Sequence, residues 1–234
     1  MTQPTVAELQ ARWAKIRVAN IYDTLDKMGY PNQCLDLGIR PLFPHTHLAG
    51  QAVTLRGAAV PVVRGEPDGV FVSEQVDYFK KLREMVYPGC VVVLECGGEA
   101  HVGKFGEMTS WALQQRGARG MVLDSYIRDS WGLEAIPNYT VCARGTSPIE
   151  SAQRWRMVSM NETVGMPGTL TTRVRVDPGD WIVGEADGVV VVPQRIAMEA
   201  LVLVEDLERR EQGMREDLAA GMPFEDAYEK WGRA

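Results

Sequence analysis

The chain has 234 residues, 45% of them apolar, and carries a formal net charge of −6 at pH 7. This length and apolar content predict one globular domain over residues 1–234 with enough apolar side chains for a core. An acidic balance argues against nucleic acid as a partner, because phosphate binding needs clustered lysines and arginines.

No apolar run approaches the length needed to span a bilayer, so no membrane association is expected. The N-terminal MTQPTVAELQ lacks the basic start and apolar core of a signal peptide. The four cysteines show no CxxC spacing: Cys34, Cys90, Cys96 and Cys142. Reduced structural thiols in a cytoplasmic protein are the simplest interpretation.

The N-terminal segment has the pattern of two consecutive helices. Thr5 and Glu8 have the spacing of a capping box, which opens a helix. An apolar stripe then continues to Met28, with a break expected near residues 17–19, and Gly29 ends it. A loop is expected over residues 32–48; it contains His45 and His47, but no third ligand that would complete a metal site.

A strand–helix–strand unit is predicted in the middle of the chain. After a strand over residues 52–63 and a helix over 68–86, the apolar run at 90–95 predicts a buried strand. A helix follows Gly106, and its apolar face is predicted from Met108, Trp111, Ala112 and Gln115. The apolar run at 120–124 predicts a second strand. The two strands should be parallel, so the loops after them should meet at one edge of the sheet.

These two loops place residues 106–109 and Arg128–Asp129 at one predicted crevice. The helix N-terminus offers backbone N–H groups to a carboxylate or phosphate. Arg128 can hold a carboxylate with two hydrogen bonds, and Asp129 is an oxygen ligand suited to Mg²⁺ or Mn²⁺. Four further acids lie close in sequence and would suit a bound cation: Glu95, Glu99, Glu107 and Asp124. The alternative is a solvated surface pair with glycine turns, and His101 is either polar surface or an acid–base group.

The C-terminal half predicts short strands followed by helices. Strands are expected at 139–143, 170–176, 181–183 and 188–192, with a hairpin turn or a set of oxygen ligands at 185–188. Four arginines either reach the crevice or lie in solvent: Arg144, Arg154, Arg156 and Arg173. A helix at 194–213 has a predicted apolar face of Ile196, Ala200, Leu203 and Leu207, and a last helix covers 223–231.

Three motifs occur in an order that resembles the RraA-like family: GEM at 106–108, GARGMVLDSYIRD at 117–129 and VDPGDWIVGEADGVVVVP at 176–193. This family contains metal-dependent 4-hydroxy-4-methyl-2-oxoglutarate/4-carboxy-4-hydroxy-2-oxoadipate aldolases. It also contains the ribonuclease regulator RraA and members often mislabelled demethylmenaquinone methyltransferases. The resemblance implies an α/β fold of the β/β/α swivelling-domain class, with flanking N- and C-terminal helices, assembled as a homotrimer or homohexamer.

The resemblance also implies roles for individual residues. The keto acid would bind the backbone at Gly106, Glu107, Met108 and Thr109, and Arg128 would contact the substrate. Asp129 would hold Mg²⁺, Mn²⁺ or another divalent cation. Glu211 in the C-terminal helix, with Glu208 as the alternative one turn earlier, would reach a neighbouring subunit's site.

The chain departs from the aldolases at three places. It has Gly106–Glu107 where they usually have Gly-Asp, and Asp124–Ser125 where they usually have Asp-Gly. It also has a longer loop at residues 145–168. Because these changes lie at or near the predicted pocket, the aldolase substrate need not carry over.

Three functions are therefore compatible with the sequence. The first is a metal-dependent lyase that cleaves a 2-oxo acid through a pyruvate-type enolate, with oxaloacetate decarboxylation as a possible side activity. The second is a non-catalytic regulator, from which the retained Asp129 distinguishes the chain, since the resemblance implies that the regulator lacks that acid. The third is another sugar-acid or keto-acid enzyme of the family.

Overall fold

The computed structural model describes residues 4–60, 68–97, 101–152 and 154–232, and for residues 68–76 it describes the backbone alone. The helices in these ranges are α1 Val6–Trp13, α2 Val18–Lys27, α3 Asp68–Met85, α4 Glu107–Gln114, α5 Ser130–Glu134, α6 Ala197–Ala219 and α7 Phe224–Trp231. The strands are β1 Arg40–Pro41, β2 Leu48–Ala59, β3 Cys90–Glu95, β4 Gly120–Leu123, β5 Tyr126–Ile127, β6 Thr140–Ala143, β7 Gly145–Thr146, β8 Trp155–Met160, β9 Val164–Pro167, β10 Arg173–Val176, β11 Trp181–Glu185 and β12 Gly188–Val192.

A mixed sheet with the order β1-β6-β4-β3-β2-β11-β12 forms the centre of the fold, and β8 pairs with the second half of β2. Strands β2, β3, β4 and β6 are parallel, whereas β1, β8, β11 and β12 join antiparallel. The predicted parallel β3–α4–β4 unit is confirmed. The loops that follow these parallel strands therefore leave from one edge of the sheet.

Alternating side chains of the central strands enter two different apolar layers. In β3, Val92 and Leu94 pack under α3, α4 and α5, while Val91 and Val93 face the layer that also holds the β9–β10 hairpin. A third apolar cluster joins α1, α2 and α6 to the outer face of β11 and β12. The sheet thus curves around one apolar layer and carries helices on its outside, which confirms the predicted α/β fold with flanking terminal helices.

The two N-terminal helices form as predicted, with the break slightly earlier than expected. Thr5 and Glu8 make the reciprocal bonds of a capping box at the start of α1. The chain leaves helical geometry after Trp13 and resumes at Val18, so the break precedes the predicted one by a few residues. The predicted loop at 32–48 contains the short strand β1. Residues 61–63 of the predicted strand lie outside the described residues.

Two predicted helix faces are wrong in part. In α4, Ser110 and Leu113 are buried, whereas Met108 is 72% exposed. The hydroxyl of Ser110 donates to the carbonyl of Gly106 at 3.0 Å, which allows this polar residue to be buried although the predicted face does not include it. In α6, Leu201 and Val204 are buried on the inner face with Ala197, Ala200 and Leu207, and Leu203 is exposed.

The segment at residues 145–168, predicted as a long loop, is strand over half of its length. It contains β7, β8 and β9, and β8 pairs antiparallel with the end of β2. Trp155 at the start of β8 is buried, and its indole N–H donates to the carbonyl of Cys96 at 3.0 Å. None of the helices in the described ranges combines the length and apolar character needed to cross a membrane.

Candidate active site

The loop after β3 is held beside the loop after β4 by backbone hydrogen bonds. Gly103 pairs in parallel with Tyr126, and the N–H of Lys104 donates to the carbonyl of Tyr126 at 2.9 Å. The N–H of Arg128 donates in turn to the carbonyl of Phe105 at 3.0 Å. These bonds join the two loops and place the start of α4 next to Arg128 and Asp129.

Gly106 is the point of closest approach between the two loops. A Cβ built on Gly106 would overlap Oδ2 of Asp129 and lie 3.1 Å from Cγ of Arg128. The backbone of Gly106 is extended, with φ −142° and ψ −166°, so glycine is required here for space and not for its backbone freedom. The residue allows the N-terminus of α4 to lie directly against the Asp129 carboxylate.

The first turn of α4 presents backbone donors toward this site. Gly106 is its N-cap and provides no side-chain hydrogen bond to the helix. The first N–H groups of an α-helix have no intrahelical acceptor and carry a partial positive charge. Residues 106–109 can therefore donate to an anionic group bound between α4 and Arg128.

Arg128 lies between two carboxylates. Its Nε is 3.4 Å from Oδ2 of Asp129, and one of its terminal nitrogens is 3.4 Å from Oε1 of Glu150. The three side chains are 36%, 47% and 61% exposed, respectively. Ion pairs as open as these contribute at most about 1 kcal/mol each to stability. The guanidinium is thus available for a ligand that brings its own oxygens.

Asp129 has a left-handed backbone conformation, with φ 59° and ψ 39°, and forms the N-cap of α5. An aspartate at this position commonly bonds the next helical N–H groups, but the Asp129 side chain makes no such bond. A non-glycine residue in this region costs on the order of 1 kcal/mol. The chain therefore carries strain at Asp129 without using the carboxylate to cap the helix.

Glu107 connects α4 to α5. Its carboxylate accepts a bond from the indole N–H of Trp111 at 3.3 Å and lies over Gly132, where a Cβ would collide with it. The side chain of Glu107 is consequently turned away from Arg128. Met108 and Trp131 are exposed to 72% and 93% and form apolar surface next to the site.

The expectation that several acids surround one cation is wrong for two of them. Oδ1 of Asp124 accepts the N–H of Cys96 at 2.6 Å and joins the ends of β3 and β4. Glu95 accepts from Arg56 at 3.0 Å and lies 3.4 Å from Arg173. Both carboxylates have structural partners on the sheet, and Glu99 lies outside the described residues.

Glu150 is an acid of the site that no sequence pattern predicts. It is paired with Gly103 through an isolated β-bridge, which brings a residue from the segment between β7 and β8 to Arg128. No local pattern marks this residue, because only the tertiary pairing of the two loops places it at the site.

The other candidate residues have different surroundings. Arg144 donates to Asp36 at 2.8 Å, and Arg154 bonds nearby backbone carbonyls, so neither of them contacts Arg128. The ring of His101 makes an edge contact with Tyr126 at 5.0 Å between centroids. The ring of His47 bonds the carbonyl of Ile16 at 3.1 Å, at the opposite edge of the sheet.

Glu211 lies on α6, where its Oε2 accepts from Asn20 and Arg215, both at 2.9 Å. Glu208 bonds the same two residues, at 2.8 Å each. Within the described part of the chain, no hydrogen bond or ion pair joins either glutamate to Arg128 or Asp129. The second oxygen of Glu211 has no bond to a described residue.

The donor set at Asp129 fits a hydrated divalent cation and does not fit an all-protein cage. No three His, Cys, Asp or Glu side chains of the described residues converge as a metal site. Mg²⁺ commonly retains several waters and binds through one or two carboxylates together with oxygens of the substrate. The half-exposed carboxylate of Asp129, unused by its own helix, provides such a ligand.

Comparison with known proteins gives related sequences and the same fold. The chain is 28% identical over 204 residues to "Putative 4-hydroxy-4-methyl-2-oxoglutarate aldolase" of Halalkalibacterium halodurans, covering 86% of this chain and 85% of that protein. An uncharacterised protein from Pseudomonas syringae pv. tomato superposes with a TM-score of 0.77 at 22% identity, covering 97% of this chain and 99% of the other.

Streptomyces coelicolor RraAS2, described as an unusual member of the RNase ES inhibitor RraA family, superposes with a TM-score of 0.72 at 24% identity. The match covers 92% of this chain and 98% of the RraAS2 chain. At these identities, the two structures establish the fold alone. The family described as RraA-like (Aldolase/RraA) matches residues 18–191, a range that includes residues 106–109, Arg128, Asp129 and Glu150 but not Glu211. The chain therefore belongs to the RraA-like family.

Proposed function

We propose that the protein is a divalent-metal-dependent lyase that cleaves a carbon–carbon bond of a 4-hydroxy-2-oxo acid and releases pyruvate. The observation that carries this proposal is the position of Arg128, whose Nε lies 3.4 Å from Oδ2 of Asp129 beside the uncapped first turn of α4. The guanidinium of Arg128, the carboxylate of Asp129 and the backbone N–H groups of α4 lie close together here, and both side chains are partly exposed to solvent. The family and the aldolase named among its relatives support this choice of chemistry.

Substrate binding would use two kinds of donor. The backbone N–H groups at residues 106–109 hold the C1 carboxylate, because the helix N-terminus favours negative charge. Arg128 donates to the 2-oxo oxygen and to one carboxylate oxygen, since its planar fork can bond two oxygens at once. This arrangement fixes the C3–C4 bond relative to Asp129.

The cleavage step follows from that placement. The C4 hydroxyl gives its proton to a water held by the Asp129 carboxylate, and its oxygen becomes a carbonyl as the C3–C4 bond breaks. The electron pair of that bond moves to C3 and is delocalised onto the 2-oxo oxygen as an enolate. Arg128 stabilises the negative charge that develops on this oxygen. Protonation at C3 then gives pyruvate.

The cation that Asp129 would hold is Mg²⁺ or Mn²⁺. When bound, it supplies Lewis-acid stabilisation to the 2-oxo group. The negative charge that develops on the 2-oxo oxygen beside Arg128 also lies near two carboxylates, those of Asp129 and Glu150. A divalent cation at Asp129 would offset the repulsion between these negative charges. Oxaloacetate decarboxylation passes through the same enolate and is expected as a side activity.

We also propose that the active protein is a homotrimer or homohexamer of single-domain subunits. The exposed Met108 and Trp131 beside the site are apolar groups that a neighbouring subunit would cover. Glu211 would then enter the neighbour's site. Its second oxygen has no bond to a described residue, which leaves it available for a water or a proton there.

A panel of 2-oxo acids tests the reaction. Pyruvate release is measured from 4-hydroxy-4-methyl-2-oxoglutarate, 4-carboxy-4-hydroxy-2-oxoadipate and oxaloacetate, with Mg²⁺ or with excess EDTA. Wild type is compared with Arg128→Gln and with Arg209→Gln, a matched control on the exposed face of α6. We expect metal-dependent release that Arg128→Gln abolishes and Arg209→Gln retains. Absence of release from the whole panel would refute the lyase assignment.

A further inference from the structure

A second cleft lies at the edge of the sheet opposite the candidate active site. Arg119 immediately precedes β4, His47 immediately precedes β2, and Thr140 begins β6, so the cleft lies at the N-terminal ends of parallel strands. Its volume is about 490 Å³. Clefts that bind small molecules commonly have volumes of about 300–1,000 Å³.

Arg119 is fixed in this cleft by its backbone, while its side chain is left with unmet donors. Its N–H donates to the carbonyl of Cys90 at 2.7 Å, and its carbonyl accepts the N–H of Thr140 at 3.0 Å. Its Nε is buried and has no hydrogen-bond partner. Among the described residues, no carboxylate forms an ion pair with its guanidinium. The side chain as a whole is only half-buried, so its terminal nitrogens remain available to a ligand that brings negative charge.

Gln10 contributes a second donor without a partner. It lines the same cleft and is only 9% exposed, yet its side-chain amide makes no hydrogen bond with any residue that the structure describes. Its amide atoms are not fully buried, so solvent or a ligand in the cleft can reach them. Gln10 comes from α1 and Arg119 from the position before β4, and both line the same partly open cleft.

The rim of the cleft adds further polar groups. His45 is exposed, and the Nε2 of His47 is bonded to the carbonyl of Ile16, which leaves the other ring nitrogen unused. Glu134 also lines the cleft, but it lies beyond ion-pair distance from Arg119. The one carboxylate present therefore does not neutralise the arginine.

We propose that this cleft binds a small oxyanion, a carboxylate or a phosphate, with Arg119 and Gln10 as its main donors. A guanidinium fork matches two oxygens of either group, and an amide N–H can bond a third. The ligand would bond terminal guanidinium nitrogens of Arg119 and the amide of Gln10, which have no hydrogen-bond partner among the described residues. The length of α5 separates the cleft from the candidate active site, since Asp129 caps the start of that helix and Glu134 ends it.

Titration calorimetry with inorganic phosphate and with malonate, on the purified protein, tests the proposal. The variants are Arg119→Gln, Gln10→Leu and Arg128→Gln, the last of which alters only the candidate active site. We expect Arg119→Gln to weaken binding by at least about 10-fold, the loss of a charge-assisted pair of bonds. We expect Gln10→Leu to weaken it by about 3- to 10-fold. Arg128→Gln should remove only binding of the probe at the candidate active site and should leave the binding that depends on Arg119 within about 2-fold of wild type.

The two probes separate the possible sources of the oxyanion. Binding of phosphate alone assigns a phosphate ligand, binding of malonate alone assigns a carboxylate, and binding of both assigns a general oxyanion site. The proposal fails if neither probe binds the wild-type protein at probe concentrations up to about 10 mM, which would detect even weak binding. It also fails if Arg128→Gln abolishes binding that the cleft variants retain. Gln10→Leu serves as the test if circular dichroism finds Arg119→Gln unfolded.

Discussion

Replacing Gly106 with alanine should separate the function of the candidate site from the stability of the fold. The backbone at this position is extended, which alanine adopts without strain. The added methyl group would overlap Oδ2 of Asp129 and lie 3.1 Å from Cγ of Arg128. The substitution therefore acts on the two side chains to which we assign the chemistry.

The expected stability cost is small. Asp129 is 47% exposed, so its carboxylate can rotate into solvent and relieve the overlap. Losing glycine as an N-cap costs about 1 kcal/mol, which for a domain of this size lowers Tm by about 2–4 °C. The expected loss of activity is much larger. A displacement of catalytic groups by about 1 Å can reduce the rate about 100-fold, or about 2.7 kcal/mol in activation free energy.

The assay compares kcat/KM for pyruvate release with the melting temperature in the same preparation. Gly165→Ala is the matched control, because the Cβ at that position would lie 3.7 Å from the nearest atom, in the flexible side chain of Arg173. We expect near-wild-type activity from the control and a loss of about 100-fold from Gly106→Ala. Wild-type kcat/KM in Gly106→Ala would refute the claim that this close approach positions the catalytic groups.

Four further predictions concern single residues. Asp129→Ala should stay folded but lose lyase activity at low Mg²⁺, measured as pyruvate release across a metal titration; unchanged wild-type turnover in EDTA would contradict the metal role. Arg128→Lys should remain about 100- to 1,000-fold below wild type, because a point charge cannot replace the two-oxygen fork; near-wild-type kcat would place Arg128 away from the substrate. Mixing inactive Asp129→Ala with inactive Glu211→Gln subunits should restore part of the activity if the site is shared between subunits, and a mixture that stays inactive after proven subunit exchange would exclude sharing. Cys34 should react with a thiol reagent first in the native protein, and Cys90, buried with its pKa raised to about 11, should react only on unfolding; equal native rates by mass spectrometry would contradict the packing.

The elements that depend on local sequence could be predicted closely. The run CVVVLE predicted β3 within its observed bounds, because a strand buried on both faces needs apolar residues at every position. Parallel pairing followed from the helix between β3 and β4. The meeting of residues 106–109 with Arg128 and Asp129 followed from that pairing in turn, since parallel strands end at one edge.

Features that depend on tertiary contacts could not be predicted. Glu150 reaches Arg128 only because its segment pairs with Gly103, and no sequence spacing encodes that bridge. Glu95 was expected near a cation, but it pairs with Arg56 on the neighbouring strand and with Arg173 of β10. The face of α4 was misjudged because a buried serine satisfied its hydroxyl within the helix. In each case, a partner distant in sequence or a local bond replaced the pattern used for the prediction.

The left-handed backbone of Asp129 restricts how this site can change in evolution. Few residues other than glycine adopt that conformation at low cost, and asparagine and aspartate lead among them. Substitution by asparagine or glycine would remove the negative charge and leave α5 beginning at the same place. A single codon change can therefore remove the carboxylate to which we assign the cation and leave the subunit folded. The same scaffold can in this way yield enzymes and non-catalytic binding proteins with little cost in stability.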